Sequence, residues 1–177
     1  MSKAILISIK PRFVADILNG KKVLEIRKTF PKCKCPIDVY IYCTKSNYLG
    51  FISKSQIGKV VAKFTLNKVK AVSIWDEYLD SETLGPACLD AYEFDAYTKG
   101  QVGYAWHIDD LVIFDQPMEL HKFYKYGVDE WAKKHAGTEI GYLEFWNGID
   151  DFRLTKAPQS FMYVEILGED SHGTSTK

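Results

Sequence analysis

The sequence predicts a single α+β domain: a small β-barrel of about six or seven mixed strands, closed or nearly closed, with helices packed outside. Three observations lead there. Six or seven short runs carry strand composition and alternation, and a compact helix with clear start and stop signals follows the first of them. The chain of 177 residues, 46% hydrophobic and 14% aromatic, is also long enough to bury one core and too apolar for disorder.

Ala4 to Ile9 is a continuous β-rich run and reads as a buried strand. Pro11 opens a helix to Leu18, since a missing N–H is harmless in the first helical turn. Phe13, Val14, Ile17 and Leu18 form its apolar face, and Asn19-Gly20 ends it. Lys22 to Lys28 is the second strand, with Leu24 and Ile26 on one face and Val23, Glu25 and Arg27 on the other. A basic loop (28–36) precedes a third strand from Ile37 to Cys43 and a polar turn from Thr44 to Asn47. Gly58 to Leu66 and Val69 to Ile74 are the next two strands. Trp75 to Leu79 and Pro86 to Tyr97 read as helices, with Ser81 a candidate cap. Gly103 to Phe114 returns to strand, and the chain turns at Gln116-Pro117. A helix over 128–135 and a closing strand over 161–166 complete the domain at residue 167. Residues 168–177 read as a flexible polar tail.

Several functional classes drop out at this level. No apolar stretch approaches the roughly 18 to 20 residues of a membrane helix, so a cytoplasmic protein with no membrane partner is expected. Cys33, Cys35, Cys43 and Cys88 have neither the spacing of a zinc site nor the density of a disulfide scaffold. Two are read as small core residues and two as free thiols in the basic loop. His107, His121, His135 and His172 have no i, i+4 pairing, and no phosphate-cradling glycine loop or nucleophile elbow is present. No metal and no cofactor is expected. The neutral net charge hides an asymmetry: residues 1–70 carry 15 Lys/Arg against three acids, and the remainder carries 8 against 20. A basic face toward a polyanion is therefore expected.

SIKP (Ser8 to Pro11) followed by LNGKKVLEIRK (Leu18 to Lys28) resembles the opening of the ASCH family in the PUA-like superfamily. Gly20, Lys22, Glu25 and Arg27 stand where that family carries its G-x-K-x-x-E-x-R signature. IYCTK (Ile41 to Lys45), GKVVAKFTL and GYAWHI fit the same family in order, and KAPQSFMYVEI (Lys156 to Ile166) resembles phage- and prophage-borne members. The resemblance implies a PUA-like barrel with a cleft between the first helix and the barrel wall, used by relatives for RNA, modified bases or nucleosides.

Within that cleft the candidate ligand-binding residues are Lys10, Lys22, Glu25, Arg27, Thr44, Lys45, Trp106, Gln159 and Ser160. Glu25 and Arg27, two apart on a strand, share a face where a carboxylate accepts from an amine while a guanidinium donates to a carbonyl or phosphate. Strict alternation sends Lys22 to the other face, unless the turn at Gly20 redirects it. Lys10 stands at the mouth beside the helix N-terminus, a place that favours anions. Thr44 and Lys45 close the rim, Gln159 and Ser160 offer hydrogen bonds at a strand edge, and Trp106 is a stacking platform. Tyr48, Tyr104 and Tyr163 are further aromatic candidates. If Glu25 and Arg27 were instead a surface ion pair, they would contribute about 0–1 kcal/mol; on the binding reading, Glu25→Ala and Arg27→Ala are expected to weaken ligand binding with little loss of thermal stability.

The leading expectation is a binding module for RNA or a modified nucleobase, with DNA possible. The alternative is a hydrolase acting on RNA or a modified nucleoside, with Lys22 and Glu25 as its catalytic residues. Some ASCH relatives are amidohydrolases of acetylated cytidine that use a lysine and a threonine. Lys22 matches the lysine, but Glu25 stands in the threonine's place and cannot be that hydroxyl nucleophile. Other relatives have been linked to RNA cleavage, where Lys10, Lys22, Tyr48 and Ser160 are the candidates. A third possibility is a phage-borne protein-interaction domain working through its acidic half. Residues 75–97 are a candidate lid over the cleft.

Overall fold

The computed structural model describes residues 2–46, 52–77, 79–136 and 142–166. Tyr48 and the tail from residue 168 lie outside these. In chain order the elements are β1 (Ser2–Ile9), α1 (Pro11–Leu18), β2 (Leu24–Arg27), β3 (Ile37–Cys43), β4 (Val60–Leu66) and β5 (Val69–Val72). A π-helical turn (Asp80–Leu84) runs into the short α2 (Gly85–Ala87), followed by α3 (Ala91–Thr98), β6 (Gly103–His107) and β7 (Asp109–Met118). A 3-10 turn (Leu120–Lys122), β8 (Phe123–Lys125), α4 (Val128–His135), α5 (Tyr142–Asp150) and β9 (Phe161–Ile166) complete the chain.

The α+β class is as the sequence predicts, but the strands do not close into a barrel among the described residues. They form a six-stranded sheet in the order β7-β4-β3-β1-β9-β8 and a separate three-stranded sheet in the order β2-β6-β5. In the larger sheet β1 and β3 run parallel, and every other pairing is antiparallel. Closure fails where the run from Gly103 to Phe114 splits. β6 pairs with β2 and β5 as far as His107, whereas β7 pairs with β4 from Asp109 onward, and Asp110 within β7 has a left-handed φ of 47°. Two strands adjacent in sequence thus enter different sheets.

The smaller sheet is buried on both faces. Trp106 packs with Ile5, Ile7, Val14, Ile41 and Phe64 in the core between the larger sheet and α1. Leu24, Ile26, Val72 and Ala105 pack the opposite way, against Leu79, Leu84, Ala87 and Phe94 of the middle helices. Alternation along β2 therefore holds: its apolar pair meets the helices, and Glu25 and Arg27 face back toward β1.

Other differences have local causes. Residues 75–77 form turns rather than a helix. The helix expected over 86–97 is interrupted at Cys88, whose φ is 53°, and restarts at Asp90 with a reciprocal capping box to Glu93. β7 runs through Gln116-Pro117 instead of turning there, since an edge strand tolerates the missing N–H. β8 and α5 are additional to the sequence reading. No helix among the described residues is long and apolar enough to cross a membrane.

Candidate functional site

The junction of α1 and β2 builds the floor of a cavity. Gly20 takes a φ of +71° after α1, and the backbone N–H groups of Lys21 and Lys22 both donate to Asp16 O, at 2.9 and 3.0 Å. This wraps the chain under the helix end. Because β2 begins only at Leu24, strand alternation does not govern Lys22, and its side chain turns inward with 2% exposure. Lys22 Nζ donates to Ala87 O at 2.6 Å, lies 3.3 Å from Glu25 Oε2 and stands over the Phe13 ring. Glu25 Oε1 is 3.0 Å from Arg27 Nη2, which also donates to Ser8 O at 2.6 Å.

The result is a buried Lys–Glu–Arg triad with one excess positive charge. Glu25 and Arg27 are 8% and 7% exposed, which rules out the surface ion pair considered above. Taking three charges out of water costs several kcal/mol per ion, and their mutual attraction often fails to recover it. Such a group is weak support for a stability role. Arg27 Nε is buried with no hydrogen-bond partner among the described residues, and an orphaned donor of that kind calls for an explanation.

Above this floor lies a cavity of about 690 Å³, within the range of small-molecule sites. Ser8, Ile9 and Lys10 line it at the end of β1, with Phe13 from α1 and Thr44 after β3. The segment from Pro158 to Ser160 forms another side, held by Ser8, whose Oγ donates to Pro158 O at 2.6 Å and whose N–H donates to Ser160 O at 3.0 Å. The last wall is α3 and its approach, with Leu89, Tyr92, Ala96 and Tyr97. Arg12 of α1 grips Glu93 of α3 through two hydrogen bonds of 2.6 and 3.2 Å, tying the two helices together. That guanidinium holds the Glu93 carboxyl below its ordinary value, with burial opposing and the Asp90 backbone assisting. Burial pushes the Tyr97 phenol up, against a smaller downward pull from Arg27, so it remains a hydrogen-bond donor at neutral pH.

Of the sequence-predicted residues, the fold brings together Lys10, Lys22, Glu25, Arg27, Thr44, Gln159 and Ser160. Two do not join them. Trp106 is fully buried, donates Nε1 to Thr29 O at 3.3 Å and packs edge-on against Phe161 with ring centroids 5.0 Å apart. Its position in the middle of β6, between two covered sheets, leaves no ring face for a base. Lys45 is exposed but lies outside the cavity lining, its stem so close over Gly58 that an added methyl there would come within 2.8 Å. The sequence reading missed Phe13, Leu89, Tyr92, Glu93, Ala96 and Tyr97 as site residues. The signal available for them was two tyrosines, 92 and 97, on the segment already suspected as a lid.

No protein-family model matches the chain, and no curated protein matches it. Solved structures do. Crystal structures of ASCH from Zymomonas mobilis match with TM-scores of 0.57 to 0.58 at 18% identity, in the unsubstituted protein and in two single-substitution variants. The alignments cover 92–93% of this chain and 87–91% of the other. The chain adopts the ASCH fold. The narrower likeness to phage-borne members has no support in these comparisons. At this identity the likeness speaks for the fold alone.

Proposed function

We propose that this ASCH domain binds RNA or a modified nucleobase in the cavity bounded by α1, α3 and the ends of β1 and β3. One observation carries the reading: a buried, net-positive Lys22–Glu25–Arg27 floor lies under aromatic walls in a space of nucleoside size. Polar groups converge at the bottom to orient a ligand, while Tyr92 at the mouth, 82% exposed, offers a stacking face. The hydrolase alternative finds less in the geometry, because each oxygen of Glu25 is already engaged by a cation.

The test is binding of a labelled single-stranded RNA, beside DNA of the same sequence, to the native chain and to Tyr92→Ala. Stacking contributes about 1–3 kcal/mol per base, so the variant should bind roughly 5- to 150-fold more weakly with an unchanged melting temperature. Binding that ignores Tyr92→Ala, or no binding of any RNA, DNA or nucleoside, would sink the proposal.

A further inference from the structure

The hydrogen-bonding capacity left unspent on the cavity floor is patterned, and the pattern selects a ligand edge. The inference rests on the reading of the cavity as a nucleobase site and narrows it to one class of base.

The backbone acceptors around the floor each already accept one hydrogen bond. Ala87 O accepts from Lys22, Ser8 O from Arg27, Pro158 O from the Ser8 hydroxyl and Ser160 O from the Ser8 N–H. The donors are not exhausted. An ammonium has three N–H groups, and Lys22 directs one to Ala87 O and one toward Glu25, leaving a third. Arg27 Nε–H is buried without a partner, and the guanidinium, with five N–H donors in all, lines the cavity. Between these donors stands Glu25, whose two oxygens offer about four lone-pair sites, with one cation on each oxygen. Acceptor capacity therefore remains at the centre of the triad, and donor capacity remains on both flanks.

We propose that the Lys22–Glu25–Arg27 triad, a donor–acceptor–donor array across the cavity floor, selects the imide edge of a uracil-type base. That edge reads acceptor–donor–acceptor: one ring carbonyl, the N3–H and the second ring carbonyl. Lys22 takes one carbonyl, Glu25 accepts from N3–H, and Arg27 takes the other carbonyl. The remaining bases fit worse. Cytosine turns an amine toward a cation and a lone pair toward the carboxylate. Guanine matches at two positions and sets an amine against the third cation. Adenine offers a single amine and a single acceptor. A phosphate sets an oxygen against Glu25, where like charges repel. The flat, largely apolar walls from Phe13, Leu89 and Tyr97 suit a ring and do not suit a tetrahedral anion.

The experiment leaves the protein unaltered and varies the ligand, so that folding does not intrude. The native chain is titrated calorimetrically with uridine, N3-methyluridine, cytidine and inorganic phosphate, and with short RNAs identical but for one base. Base-edge discrimination of this kind corresponds to roughly 5- to 150-fold in affinity. Uridine should bind at least about fivefold tighter than cytidine, and N3 methylation should cost as much, because it removes the donor that Glu25 requires. The single-base RNAs should repeat that order, and phosphate should not compete. Equal or tighter binding of cytidine, indifference to N3 methylation, or displacement by phosphate would overturn the base assignment. RNA binding that ignores the varied base would overturn it too, while leaving the nucleic-acid reading intact. Absence of binding by every nucleoside and RNA would remove both.

Discussion

Removing the central carboxylate should be far more damaging than a sequence-level view of Glu25 suggests. In Glu25→Ala, Lys22 and Arg27 would remain 2% and 7% exposed with no anion beside them. Breaking a buried charge group by deleting one partner costs about 3–5 kcal/mol. At about 2–4 °C per kcal/mol for a chain of this size, that is a fall of roughly 6–20 °C in melting temperature. The reasoning also predicts a rescue. Replacing the whole triad with apolar groups of similar volume, as in Lys22→Met/Glu25→Leu/Arg27→Met, removes every buried charge together. Such replacements are often neutral or stabilising, although Ser8 O and Ala87 O would each lose a donor at about 1–3 kcal/mol. The triple variant should thus recover much of the single variant's loss and bind no ligand. Urea denaturation with a common slope measures both. A Glu25→Ala protein within about 1 kcal/mol of native would mean that water already solvates the triad, and the argument from burial would be wrong. A triple variant no more stable than the single one would refute it from the other side.

Trp106→Phe should lower stability, since the indole is fully buried and its N–H bond to Thr29 O is lost, yet leave ligand affinity unchanged; a parallel loss of affinity would return Trp106 to the site. The Arg12–Glu93 bridge should act on stability through pH, because Glu93 has its pKa lowered from 4.5 in the folded state. Its contribution is fully present above that ordinary value and fades as pH falls through the lower folded value. The stability gap between native and Glu93→Gln, measured in urea, should be flat above pH 4.5 and shrink below it. Salt should weaken RNA binding only mildly. If Lys10 and Lys28 at the mouth each follow one phosphate, the slope of log affinity against log salt is about −1.4, and a slope several times steeper would point to a longer basic track.

The strand-helix-strand unit was legible because its punctuation is local. Pro11 and Asn19-Gly20 bracket α1, and alternation alone places Glu25 and Arg27 on one face of β2. What surrounds that face was not legible, since the burial of the triad depends on Ala87, α3 and the segment from Pro158 to Ser160, all distant in sequence. Trp106 was misread for the same reason: a tryptophan in a strand gives no sign of whether both faces of its sheet are covered. The division of β6 from β7 falls at Ile108, in a His-Ile-Asp stretch with no glycine or proline to announce it. α5 carries Asn147 and Gly148 in its interior, both weak helix formers. It is held by packing instead: Gly148 lies so close to Trp131 of α4 that a methyl group there would strike the indole.

The charge asymmetry shows how linear pattern and folded surface differ. The basic first part of the chain does not fold apart from the acidic remainder, since β1, β3 and β4 share one sheet with β7, β8 and β9. Arg12–Glu93, Lys59–Glu119 and Lys70–Glu82 each join a cation from the first 70 residues to a carboxylate from the remainder. Such pairs offset part of the asymmetry seen in the linear sequence. Positive charge persists around the cavity: Lys10 lines its mouth, and Lys28 lies over the Tyr97 ring at 5.1 Å. On the floor, Lys22 and Arg27 outnumber Glu25. A long duplex would need a continuous basic track, whereas this arrangement concentrates its charge around one ring-sized space. On the proposed reading, this arrangement suits a single extruded base or a short unpaired strand better than a long duplex.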